Sequence, residues 1–153
     1  MVVSFDIDDT LVSADPQFAR EKYTLVCKLA GAEKLRKGTI KLFKELKASD
    51  HEIYIYTTSH RSPFSLRKTF FTYGLKPNRF INGVENRKAL SVANCSSSKN
   101  PHLFNIDLHI DDLPRVKIEA DRYNFKALII DLYDEKWTEK IWKAINEQAE
   151  KKL

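Results

Sequence analysis

Short apolar runs recur along the chain, each passing directly into polar residues and each separated from the next by a stretch with helical periodicity. Val2-Val3-Ser4-Phe5, Ile53-Tyr54-Ile55-Tyr56, Arg79-Phe80-Ile81-Asn82, Leu108-His109-Ile110 and Ala127-Leu128-Ile129-Ile130 have the length and the β-branched and aromatic content of buried strands. Between them, a helix is predicted from about Pro16 to Leu35 with Gly31 as a stop, and Thr39 is predicted to cap a second helix with Ile40, Phe43 and Leu46 on one face. Ser62-Pro63 opens a third, in which Leu66, Phe70 and Tyr73 fall at i, i+4 and i+7 before Gly74. Further helices are predicted around Glu85 to Ala93, after Pro114 (Val116, Ala120 and Tyr123 on one face) and over the last segment, striped by Trp137, Ile141 and Ile145. Strands without strict alternation, each followed by a helix, predict an α/β chain: a three-layer, Rossmann-like parallel sheet with helices on both faces, in a single domain over residues 1–153.

In such sheets ligands bind beyond the carboxyl ends of the strands. Three of the predicted strands end in polar clusters: Asp6-Ile7-Asp8-Asp9-Thr10, Thr57-Thr58-Ser59 and Asp111-Asp112. The fold therefore brings them to one rim. Like charges about 4 Å apart repel by roughly 1 kcal/mol in water and several-fold more at a protein surface, so this crowding of acids asks for a cation, and oxygen-only donors suit Mg²⁺.

Length and composition narrow the classes. A chain of 153 residues is sized for one core, and 42% hydrophobic with 31% charged residues describes a globular chain, not a disordered or fibrous one. No apolar run reaches bilayer length and no signal-peptide pattern opens the chain, so a cytoplasmic protein without a membrane partner is expected. Cys27 and Cys95 make no C-x-x-C pair, and His51, His60, His102 and His109 have no ligand spacing, so each histidine is expected as a surface or strand residue. The net charge of +5 favours anionic partners, but the lysines, including Lys151 and Lys152 in the tail, are dispersed as on solvated helix faces; nucleic acid is a minority expectation. An EF-hand starting at Asp6 fails because Leu11 and Gln17 stand where Gly and Glu are required, and the four glycines form no P-loop or dinucleotide fingerprint.

The motif Phe5-Asp6-Ile7-Asp8-Asp9-Thr10-Leu11 resembles the first motif of the haloacid dehalogenase superfamily of phosphohydrolases, D-x-D-x-T/V after an apolar strand. Alone, such a pattern would arise in a chain this long about one time in twenty. Three further motifs are similar and follow in family order: Thr57 ending a strand, Lys99 ahead of the last acidic strand, and Asp111-Asp112 ending it. The resemblance implies a phosphatase in which Asp6 attacks phosphorus to form an aspartyl phosphate and Asp8 acts as general acid and base. It also implies Mg²⁺ held by Asp6, the Asp8 carbonyl and Asp112, with Asp111 as a second ligand or water-orienting acid. Thr57 and Lys99 would contact the phosphoryl oxygens, with Thr58, Ser59 and Arg61 on the substrate; Lys88 is the alternative to Lys99. The planar fork of Arg61 suits a second anionic group better than His60 does. Thr10 is expected to bond backbone, and Asp9, where the family often has Gly, is left without a role.

Relatives often carry a cap inserted after the first motif or between the second and third. The intervals Leu11–Arg36 and His60–Ser98 have room only for elements of the sheet and a small hairpin, which implies a capless enzyme. Its open site would take a phosphorylated macromolecule, or a neighbouring subunit of a homo-oligomer would cover it and restrict it to small phosphates. A nucleotide or nucleic-acid-end phosphatase of the same fold is the nearest alternative. A receiver-type phosphoacceptor module is the more distant one, disfavoured because the third predicted strand ends in Asn82-Gly83 and not in an acid.

Overall fold

The computed structural model describes residues 1–15 and 17–150. Five strands, β1 (Val2–Phe5), β2 (Glu52–Tyr56), β3 (Arg79–Ile81), β4 (Leu108–Asp111) and β5 (Ala127–Ile129), form one sheet in the order β3-β2-β1-β4-β5, and every pairing is parallel. Parallel neighbours need crossovers, and six helices supply and flank them: α1 (Leu25–Ala30), α2 (Thr39–Ala48), α3 (Pro63–Thr72), α4 (Gly83–Val92), α5 (Pro114–Tyr123) and α6 (Trp137–Glu150). The predicted three-layer α/β architecture is the observed one.

Strand alternation divides the side chains between two cores. On one face Val3, Phe5, Ile53, Ile55 and Ile110 pack with Leu42, Phe43 and Leu46 of α2, Leu66 and Phe70 of α3, and Trp137, Ile141 and Ile145 of α6. On the other, Tyr54 and Tyr56 meet Ile81, Ala89 and Phe104, and Ala127 and Ile129 meet Val116, Ala120 and Phe125. The chain runs from β1 outward to β2 and β3, then returns to β4 on the opposite side of β1. This reversal opens a crevice beyond the carboxyl ends of β1 and β4, into which Asp6 and Asp112 follow their strands directly.

Two local expectations are corrected. The helix predicted over Pro16–Leu35 shrinks to α1, and its predicted start at Pro16 lies outside the described residues. Backbone pairing explains the loss: Lys37 N–H bonds Ala19 C=O, Glu21 N–H bonds Leu35 C=O, and Arg20 bridges Arg36 in antiparallel fashion. Gly31, at φ +61°, ends α1 as predicted. Thr39 does not cap α2; Gly38 occupies that position, and the orphan N–H groups of Gly38 and Ile40 go to the Glu21 carboxylate at 3.0 Å each. The tail lysines Lys151 and Lys152 lie outside the described residues. Among those described, no helix is long and apolar enough to cross a membrane.

Candidate active site at the sheet switch point

Lys99 is the centre of the site. Its ammonium lies 2.8 Å from Asp6 Oδ1 and 2.6 Å from Asp111 Oδ2, and its side chain is only 2% exposed. Three anchors hold the connection that carries it. Asn86 of α4 donates to the Ser98 carbonyl at 2.8 Å, Glu119 of α5 accepts from the Ser98 N–H and hydroxyl at 2.9 and 2.6 Å, and the Asn100 N–H donates to the Tyr56 hydroxyl at 3.0 Å. Burial alone would lower the Lys99 pKa, but Asp6 and Asp111 outweigh it and hold the amine protonated above its ordinary value. Lys88, the alternative, is exposed on α4.

Asp111 is fully buried and fully engaged. Its Oδ2 receives Lys99 and His109 Nε2 (3.0 Å), while Oδ1 accepts the Leu113 N–H at 2.9 Å. Burial pushes this carboxyl up, but the His109 hydrogen bond and the Lys99 charge overcome it and leave it below the usual carboxylate range. His109 has its own pKa lowered by burial and is neutral. A carboxylate can only accept, so Nε2 carries the proton, and Nδ1 accepts from the Ser4 hydroxyl at 2.7 Å. Ser4 and His109 are register partners on β1 and β4, so a polar pair inside an otherwise apolar sheet orients Asp111 from below.

Asp6, Asp111 and Asp112 bring carboxylate oxygens within 4.8 Å of one another, a set that could hold a metal ion. All donors are hard oxygens, which fits Mg²⁺. Asp111 has its oxygens committed to protein donors, whereas Asp6 spends one oxygen on Lys99 and Asp112 one on the Thr10 hydroxyl (3.1 Å). The remaining oxygens of Asp6 and Asp112 are thus better placed for a cation than those of Asp111. Burial, then the neighbouring carboxylate Asp111, raise both Asp6 and Asp112 above the ordinary value, although Lys99 pulls Asp6 back down. A bound cation would relieve that cost. The bond from Thr10 to a side chain corrects the expectation that it serves backbone.

The turn after β1 explains Asp9. It adopts φ +59°, in the left-handed region that Gly takes freely and Asp tolerates, and its carboxylate accepts from the Ser13 hydroxyl at 2.9 Å. Asp8 points outward and is 53% exposed. The Arg61 guanidinium grips both of its oxygens, at 2.9 and 2.7 Å, and also reaches Glu33. The anion-seeking fork foreseen for substrate is therefore occupied by two protein carboxylates.

On the β2 side Thr57 is buried, its Oγ1 accepting from the Ser59 N–H at 3.1 Å, while Thr58 is exposed and His60 faces solvent. The Ser59 hydroxyl oxygen is buried without a hydrogen-bond partner. Asn82, which caps α4 just past β3, and Gly83, the first residue of α4, support this loop. The Asn82 amide donates to the Arg61 carbonyl at 3.1 Å, and the Gly83 N–H to the Ser59 carbonyl at 2.7 Å. A half-open cleft of about 650 Å³ is lined in part by Phe18, Arg36, Lys37, Tyr133 and Trp137, and by none of Asp6, Asp111 and Asp112. Arg36 joins the two regions: it donates to the Thr10 carbonyl at 3.4 Å and to the carbonyls of Asp131, Leu132 and Asp134.

Sequence reasoning passed over Ser4, His109, Glu33, Asn82 and Gly83. Polar residues inside apolar strands at Ser4 and His109 were a readable signal; the others depend on contacts between distant segments.

No family model and no curated protein matches the chain. Among solved structures, it is similar to a chain in the Pnkp1/Rnl/Hen1 RNA repair complex, with 12% identity and a TM-score of 0.51 over 88% of this chain and 43% of that one. A hypothetical protein from Xanthomonas campestris is 20% identical, with a TM-score of 0.39 over 76% of this chain and 57% of that one. The chain thus spans less than two thirds of either, and the first likeness supports the fold alone.

Proposed function

We propose that the protein is a Mg²⁺-dependent phosphomonoesterase of the haloacid dehalogenase type. The observation that carries this reading is the burial of Lys99 between Asp6 and Asp111, 2.8 and 2.6 Å from their carboxylates, beside an oxygen-only set completed by Asp112. Taking these charges out of water carries a desolvation cost that their mutual attraction has to offset, and they lie at the crevice where such sheets bind ligands.

In this reading Asp6 attacks phosphorus; the P–O bond to the leaving group breaks, the leaving oxygen takes a proton from Asp8, and phosphate remains on Asp6. Asp8 then withdraws a proton from water, which displaces phosphate from Asp6. Lys99 and Thr57 supply a positive charge and a hydroxyl to the phosphoryl oxygens, and the unpartnered Ser59 hydroxyl gives a further donor at the same loop. A bound Mg²⁺, held by Asp6 and Asp112, would neutralise phosphoryl charge. Asp8 and Thr58 are exposed, so the leaving group faces open space, as suits a large phosphorylated substrate. The positive net charge and that openness favour, as a second reading, a nucleotide or nucleic-acid end carrying the phosphate.

The test is hydrolysis of an aryl phosphate by purified protein with and without Mg²⁺. Turnover that requires the metal and disappears in Asp6→Asn, with the circular dichroism spectrum unchanged, is the expected result. Undiminished turnover in that variant refutes the assignment.

A further inference from the structure

We propose that the cleft bordered by Phe18, Tyr133 and Trp137 is a stacking subsite for a nucleobase carried by the phosphorylated substrate; the inference rests on the second reading of the function given above. Its size suits that role, since about 650 Å³ falls within the range of cavities that enclose small ligands. Aromatic rings supply much of its wall, and Tyr133 is 74% exposed, which leaves a large ring face uncovered at its edge. Single exposed apolar side chains are ordinary on protein surfaces, but this one borders a concave site that holds two further rings. Exposed Lys37 adds a cation to the same lining, and rings beside positive charge are the combination that holds nucleotides by base stacking and phosphate attraction. Of the two acids there, Asp134 is paired with Lys140, and exposed Glu135 offers an acceptor to a ring N–H.

The walls are fastened to one another by the protein's own bonds. Arg36 Cζ lies 4.7 Å from the centre of the Phe18 ring and 5.0 Å from that of Trp137, and its guanidinium donates to the carbonyls of Asp131, Leu132 and Asp134 at 2.9, 3.1 and 2.9 Å. Lys37 N–H donates to Ala19 C=O at 2.7 Å, Trp137 Nε1 to Lys37 C=O at 3.1 Å, and Tyr133 N–H to the Asp131 carboxylate at 2.8 Å. Segments 17–19, 36–38 and 131–138 are thereby preorganised, and a base entering between them has little left to order. Arg36 also ties this wall to the carboxylates: it donates to Thr10 C=O at 3.4 Å, and the Thr10 hydroxyl donates to Asp112 at 3.1 Å. One residue therefore links the place for a base to the place for a phosphate.

Calorimetric titration without Mg²⁺ tests this with three probes: thymidine monophosphate, a tetrathymidylate with a terminal phosphate, and an abasic tetramer of the same charge. The base-bearing tetramer should bind about ten-fold tighter than the abasic one, and Tyr133→Ala should remove that advantage while leaving the abasic affinity unchanged. Tyr133→Phe, which keeps the ring, should restore it. Thymidine monophosphate separates the two sources of the base: the same Tyr133 dependence assigns a free nucleotide, and dependence confined to the tetramer assigns a strand. Equal affinity for the two tetramers, binding of none of the probes, or an unchanged Tyr133→Ala overturns the proposal.

A second measurement locates the contact. The chain has two tryptophans, Trp137 in the cleft and Trp142, whose indole N–H is bonded to Glu45 beside His51. With the two indole N–H resonances assigned by Trp142→Phe, that of Trp137 should move as the base-bearing tetramer is added and that of Trp142 should stay; a Trp137 resonance that does not move overturns the assignment to this cleft. Neither measurement needs turnover. A protein inactive on aryl phosphate defeats the function proposed above and leaves the cleft to be decided by binding, whereas an active protein with no preference for bases loses the cleft alone.

Discussion

Gly83 is the position at which a single methyl group should separate binding geometry from stability. A β-carbon built there would sit 2.2 Å from the Thr58 carbonyl oxygen, 2.8 Å from its carbon and 2.9 Å from the Ser59 oxygen, all backbone atoms with no side-chain torsion to yield. Real β-carbon contacts essentially never fall below 3.0 Å, so in Gly83→Ala the Thr58–Ser59 backbone has to withdraw by about 0.8 Å. The same retreat stretches the 2.7 Å bond from Gly83 N–H to the Ser59 carbonyl and draws Thr57, whose hydroxyl is bonded to the Ser59 N–H, off its place. Overpacking of this kind costs about 1–3 kcal/mol of stability, and a misplacement near 1 Å in a catalytic constellation costs on the order of 10²-fold in rate. We expect urea unfolding to register the first and kcat/KM on an aryl phosphate to fall between about 10- and 100-fold. Gly74→Ala is the control: at φ +73° with nothing within 4 Å of the added carbon, it should lose roughly 1 kcal/mol through backbone strain and keep full activity. A Gly83→Ala enzyme with wild-type kcat/KM refutes the argument that this close approach sets the loop.

Lys99→Ala leaves Asp6 and Asp111 facing each other without a counter-charge and should cost about 3–5 kcal/mol by denaturant unfolding, part of it recovered on adding Mg²⁺, whereas exposed Lys88→Ala should change stability by less than about 0.5 kcal/mol. Phosphate hydrolysis should follow the same order, and a larger activity loss in Lys88→Ala moves the phosphate-binding role to that residue. At the β1 turn, Asp9→Ala forfeits both a side chain tolerant of φ +59° and the Ser13 bond, for a predicted loss of about 1–2 kcal/mol; Asp9→Gly should lose less, and the reverse order in chemical denaturation would discount the backbone explanation.

The strand and helix pattern was legible because burial on both faces of a parallel sheet demands continuous apolar runs, and each of the five runs found its strand. Signals that act within a few residues were equally readable: Ser62-Pro63 starts α3, with the Ser62 hydroxyl accepting the Ser65 N–H at 3.1 Å, and Gly31 ends α1. The segment before Leu25 was misread because its helical pattern was overridden by long-range backbone pairing with residues 35–37, which no local propensity encodes.

For the site, the chain by itself determined which polar clusters follow strands, and hence that Asp6, Thr57 and Asp111-Asp112 meet at one rim. Only the tertiary structure decided what each of them faces. It buried Lys99 between Asp6 and Asp111 and left Lys88 exposed, and it divided Asp111, saturated by Lys99, His109 and the Leu113 N–H, from Asp112, which keeps an oxygen to offer. It also turned Arg61 from substrate toward Asp8 and Glu33. The physical reason is the same in each case. Sequence order specifies the strand end at which a side chain emerges, but hydrogen-bond partners as distant as Lys99 from Asp111 and Thr10 from Asp112, 12 and 102 residues apart, set its orientation and its charge.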